Sequence, residues 1–136
     1  MIPTEGLNYK NDVVYGVEAQ TPVYIGLFSE NYTPVLTDTG ATFPTAATET
    51  SAYDEATRQL FQANASVAGV TDNAGHVATF SMNAEVTVYG AFLVTTSGKG
   101  NTAGKLLSAV KFTTPKTLFA GDVLEVPYSS VAANLA

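Results

Sequence analysis

One histidine, twelve carboxylates and one arginine are the side chains of this sequence with chemistry in reach. A general base or metal site built on His76 needs partners, and its own stretch, Asp72-Asn73-Ala74-Gly75-His76, supplies Asp72 alone. Glycine and Asx residues make that stretch a turn, so the imidazole is expected exposed at a turn-to-strand boundary. Asp38 and Asp72 lie in acidic stretches too thin for the six to eight oxygens of a calcium site, and read as turn caps. Twelve acids make chance carboxylate pairs easy, but no motif fixes the facing pair a glycosidase needs. There is no Gly-x-Ser-x-Gly, and residues 98–104 (GKGNTAG) lack the spacing of a phosphate-binding loop. Without cysteine, disulfides and thiolate metal sites are excluded. The expectation is a non-enzymatic protein with no cofactor and no metal.

Arg58 is the exception among the charged residues. It is the only arginine and lies near Tyr53, Asp54, Glu55 and Phe61. A guanidinium can pair with a carboxylate and lie on an aromatic face at once. Arg58, Tyr53 and Asp54 therefore form a candidate structural clamp, or a candidate intersubunit contact.

These residues must be held by a chain of 136 residues, the size of one domain. Apolar residues make up 46% and charged residues 13%, against a usual charged share of about 25%. A β-protein this poor in charge is expected to cover part of its surface with a partner. The net charge is −6, and the five lysines are scattered at 10, 99, 105, 111 and 116. Phosphate backbones and anionic membranes need clustered cations, so neither nucleic acid nor a membrane is an expected partner. No apolar run approaches the ~18 residues of a spanning helix, and residues 1–10 lack a signal-peptide pattern.

The dominant period is two. Ala78, Phe80 and Met82 fall on one face; so do Val86, Val88, Phe92 and Val94, with Gly90; so do Leu106, Val110 and Phe112, with Ser108; so do Leu124, Val126 and Tyr128. Such alternation describes half-buried strands. Turn residues at 72–75, 97–101 and 120–122 separate them. Residues 106–128 read as two strands joined by a proline-marked connection, with Pro115, Gly121 and Asp122 shaping it. Residues 12–18 and 22–28 read as earlier strands. Residues 33–51 have no period and read as one long surface loop. In residues 51–62, Ser51 could cap a helical turn before a strand begins at Leu60-Phe61. The expected fold is all-β: a single-domain antiparallel β-sandwich, jelly-roll or immunoglobulin-like. The weakly charged termini, 1–8 and 129–136, either pack on that domain or serve as contact arms on a neighbour.

The order of several pieces resembles small β-sandwich virion structural proteins of tailed bacteriophages. The pieces are VYIGLF then NYTP (23–28, 31–34), SAYDEATR (51–58), HVATFSM (76–82), YGAFLV (89–94) and LLSAVKFTTPKTLFAGDVL (106–124). The family's first residue in the arginine motif is threonine; here it is Ser51. The resemblance implies a structural role in the virion, with no catalytic residues to carry over. The absence of cysteine suits assembly in the bacterial cytoplasm, and the expected state is a homo-oligomer, trimer or dimer, on the major capsid protein or other virion proteins. A capsid decoration (cement) protein is the leading expectation. A neck, collar or tail-fibre component and a carbohydrate-binding module using Tyr9, Tyr15, Tyr24, Tyr32 and Tyr53 are the alternatives.

Overall fold

The computed structural model describes residues 1–131. The longest alternating segments form its centre: β5 (Val86–Val94) pairs antiparallel with β6 (Leu106–Leu118) across the 95–105 loop. On the other side of β5 lies β1 (Tyr24–Phe28), followed by the two-residue β2 (Gln59–Leu60), giving the order β2-β1-β5-β6. Two antiparallel ribbons complete the strands: β4 (Ala78–Ser81) with β7 (Val123–Val126), and β3 (Val70–Asp72) with β8 (Ser129–Val131). The described chain is all-β and antiparallel, with two helices, α1 (Thr4–Val14) and α2 (Phe43–Ala46).

The central sheet is buried on both faces. Ile25, Leu27, Ala91 and Leu93 point into one cluster, with Phe80 and Leu124 of the β4–β7 ribbon and Tyr9 of α1. Phe28, Phe92 and Val94 point into the other, with Leu106, Ala109 and Phe43 of α2. Strict alternation places Val88 with Phe92 and Val94, yet Val88 joins Ala91 and Leu93. The change coincides with a break in the ladder: Val88 faces Lys116 while Gly90 faces Lys111, so β6 carries extra residues opposite this point of β5. A bulge changes which residues share a face. Pro115 lies inside that irregular stretch and not in the connection to β7. The connection is made by residues 119–122, where Gly121 takes a φ of 94° and the Asp122 carboxylate accepts from Phe119 N at 2.8 Å.

Two glycines make the second cluster possible. Gly26 faces Phe92 and Phe28 faces Gly90 across β1 and β5. Each ring lies over the opposing glycine, and a Cβ at either position would collide with it. The rings thereby leave room for Phe43, whose centroid stands 5.4 Å from Phe28 and 5.1 Å from Phe92. That aromatic contact ties residues 33–51 to the sheet. The segment read as one long surface loop carries α2 and a fully buried anchor.

Other expectations change as well. Residues 12–18 are not a strand: α1 runs to Val14 and a turn follows. Gly6 and Tyr9 are its buried side, with Gly6 against the backbone of Leu107. Glu5 reaches across to accept from Gly40 N (2.6 Å) and Leu106 N (3.1 Å). Residues 51–58 form no helical turn; Tyr53 bridges to Met82 in extended fashion. Of the two terminal segments, residues 1–8 lie on their own domain, with Met1 exchanging backbone hydrogen bonds with Ala109 at 3.0 Å. Residues 129–131 are β8, and 132–136 lie outside the described residues.

Candidate functional site

Arg58 is the most engaged polar side chain of the molecule, and it is 1% exposed. A guanidinium has five N–H donors, and here each has an acceptor. Nε and Nη2 grip both oxygens of Glu49, at 2.8 and 2.7 Å. Nη1 donates to the Thr96 carbonyl and hydroxyl, both at 2.9 Å, and Nη2 also reaches Asn101 O at 3.0 Å. Its carbon stands 5.4 Å over the Phe92 ring. Glu49 in turn accepts from Gly100 N at 3.0 Å. The end of the 33–51 segment, residue 58 and the 95–105 loop are thus tied at one point. Bidentate geometry and complete donor use make this a closed unit, with nothing left to hold a ligand.

Asp54 is not part of it. Its side chain is exposed, and the carboxylate that pairs with Arg58 is Glu49. Sequence proximity favoured Asp54, but the chain bends at 54–57 with Asp54 turned outward, and it is Glu49 that reaches the guanidinium. Tyr53 is buried beside the unit, with its ring edge-on to Phe80 at 4.9 Å. Lys99 lies 3.9 Å above that ring and donates to Tyr53 O at 2.8 Å. The Tyr53 hydroxyl is the one buried side-chain polar atom without a partner among the described residues. Burial pushes its ionisation well above the ordinary tyrosine range.

The remaining chemical candidates are used locally. Asp38 accepts from the Tyr32 hydroxyl at 2.6 Å and from Val35 N at 2.8 Å. That hydrogen bond, with some desolvation, pushes Tyr32 up to about 12. Asp72 accepts from Asn64 Nδ2 and Ala74 N, which hold its carboxyl below the usual range. Asn73, read as a turn residue, is buried and joins β3 to the end of β7: it accepts from Tyr128 N and donates to Val126 O. His76 is exposed. Among the described residues, no cluster of three His, Cys, Asp or Glu side chains is placed to hold a metal ion. The tyrosines named for sugar stacking do not form a platform, because Tyr9 and Tyr53 are buried while Tyr15 is 80% exposed.

One further region went unseen in the sequence. Lys10 of α1 points between the helix and the β3–β8 ribbon, where Nζ reaches Ser130 Oγ at 3.3 Å. Around it lie Val23, Phe61, Leu93 and Leu107. Burial lowers its ammonium below the ordinary lysine value. Reading 12–18 as a strand hid the helix that carries it. No protein-family model matches the chain, and no curated protein matches its sequence.

Proposed function

We propose that the chain is a non-enzymatic structural protein of a tailed-bacteriophage virion, a capsid decoration protein that braces the head exterior. The observation that carries this reading is the contrast between spent polar groups and unspent apolar ones. Arg58, Glu49, Asp38 and Asp72 are committed to internal hydrogen bonds. Meanwhile Val14, Tyr15, Val17, Leu36, Phe119 and Val123 are each more than half exposed. Apolar side chains in such number on a weakly charged surface suit contacts with neighbours. Repetition of weak contacts over a lattice adds avidity. The neighbours in this reading are the major capsid protein or other virion proteins, and further copies of the chain itself. The finer architecture we propose is a small β-sandwich domain, in which the β4–β7 ribbon acts as the second layer over the central sheet.

Quantitative mass spectrometry and immunogold labelling of purified particles carrying this chain test the reading. The expected result is a copy number in fixed ratio to the coat protein, with label over the head. Label confined to the neck or tail moves the protein to that position. Absence from the particle overturns the virion reading.

A further inference from the structure

Two recesses of about 360 and 300 Å³ lie beside α1. They share Lys10, Thr71, Leu107 and Ser130, so they form one groove with Lys10 at its waist. Its other walls are largely apolar. Among the described residues the only ion pair is Arg58–Glu49, so Lys10 has no carboxylate of its own. A partly desolvated cation in an apolar groove favours an anionic occupant with an apolar body.

A segment of that chemistry stands next to the groove. Val14 lines one recess, and the chain beyond it turns outward with Val14, Tyr15 and Val17 at 75, 80 and 75% exposure. Val67 is 74% exposed, and the turn that contains it lines the same recess through Ser66 and Gly69. Glu18 follows Val17 directly; it is exposed, borders the neighbouring recess with Asp12 and Lys105, and has no ion pair among the described residues. A groove that wants an apolar, acidic occupant and a tip that supplies one thus sit side by side. That juxtaposition is what a two-fold contact requires, since each copy then gives and receives the same element.

We propose that this face joins two copies of the chain about a two-fold axis: the 14–17 tip of each copy lies in the groove of the other, with Lys10 paired to the partner's Glu18. The pairing rests on the homo-oligomeric part of the virion reading and gives it a surface. Covering the tip removes exposed apolar area from water, and the ion pair fixes the register.

Sedimentation velocity of the full chain over about 1–100 µM reads the association directly. The wild type is expected to dimerise. Lys10→Glu and Glu18→Lys should each weaken the dimer at least about tenfold by opposing like charges. The combined K10E/E18K chain should return to within a few-fold of wild type. Val17→Asp should also dissociate it, with unfolding midpoints of the dilute variants confirming that the fold is intact. A wild type that stays monomeric overturns the proposal. So does a K10E dimer as tight as wild type, or a double variant no better than the singles. A chain shortened to Val131 that dimerises where the full chain does not would put residues 132–136 in the groove, and overturns it too. An oligomer indifferent to Lys10 removes this surface and leaves the virion reading standing. Absence from particles removes the virion reading whatever the oligomer does.

Discussion

Arg58 and Lys10 are both cations withdrawn from water, and the molecule treats them in opposite ways. Arg58 is enclosed with a bidentate carboxylate, three further acceptors and an aromatic face. Lys10 has one hydroxyl at 3.3 Å and apolar walls. The difference teaches what each region is for. A buried charge whose every donor is used has no free valence, so its role ends within the chain. A charge left short of partners beside an exposed apolar tip is where we propose that a second copy binds.

Removing each cation sharpens that contrast, because the two replacements should differ in sign. Arg58→Met leaves Glu49 buried with its partner gone, and should cost about 3–5 kcal/mol in denaturant unfolding. The R58M/E49L chain should recover much of that loss, since no uncompensated charge remains. If R58M proves as stable as wild type, the clamp is not holding the 33–51 segment.

A smaller effect comes from the one loose end of the closed region. The Tyr53 hydroxyl is buried without a partner among the described residues. Tyr53→Phe should therefore raise stability, by about 1 kcal/mol, in the same unfolding assay. By contrast, Tyr128→Phe should lower it, because the Tyr128 hydroxyl is bonded to Ser108 at 2.9 Å.

The smallest effect belongs to the open region. Lys10→Met, measured on dilute protein near neutral pH, should stabilise by roughly 0.5 kcal/mol, the scale for a charge still partly in water. The pH dependence follows from the direction of the shift. The folded lysine binds its proton less tightly than the unfolded one, whose ordinary value is 10.5. The penalty is thus fully present below the folded value and fades as pH rises through it toward 10.5. The K10M advantage should shrink over that window. Tyr128 works the other way, because burial raises its ionisation and its contribution is lost at high pH. The difference between wild type and K10M cancels that background. An advantage unchanged up to pH 10.5 would mean Lys10 is not desolvated.

Much of the strand framework was legible in the residues. Phe80, Leu124, Val126 and Tyr128 stood in alternation and are buried together, because a strand's faces follow directly from a period of two. Arg58 was singled out as the one residue able to combine ion pairing with an aromatic face. Its carboxylate was not legible. Glu49, Asp54 and Glu55 are all near in sequence, and only the course of the backbone through residues 49–58 decides which meets it. Nor was α1 visible, since Pro3 at its N-cap gives no side-chain hydrogen bond. Its burial rests on contact with β6, a strand about a hundred residues away.

By itself the sequence determined the class of the fold, the turn positions at Gly75, Gly100 and Gly121, and the poverty of charge. These follow from local properties: side-chain alternation, the left-handed backbone that glycine accepts, and composition. Only the tertiary structure decided that Val88 and Phe92 face opposite ways, that Glu49 grips Arg58, and that Lys10 looks into an apolar groove. Each depends on the register or approach of segments far apart in the chain. A bulge of a few residues or a turn of the backbone resets such approaches while leaving every local preference satisfied.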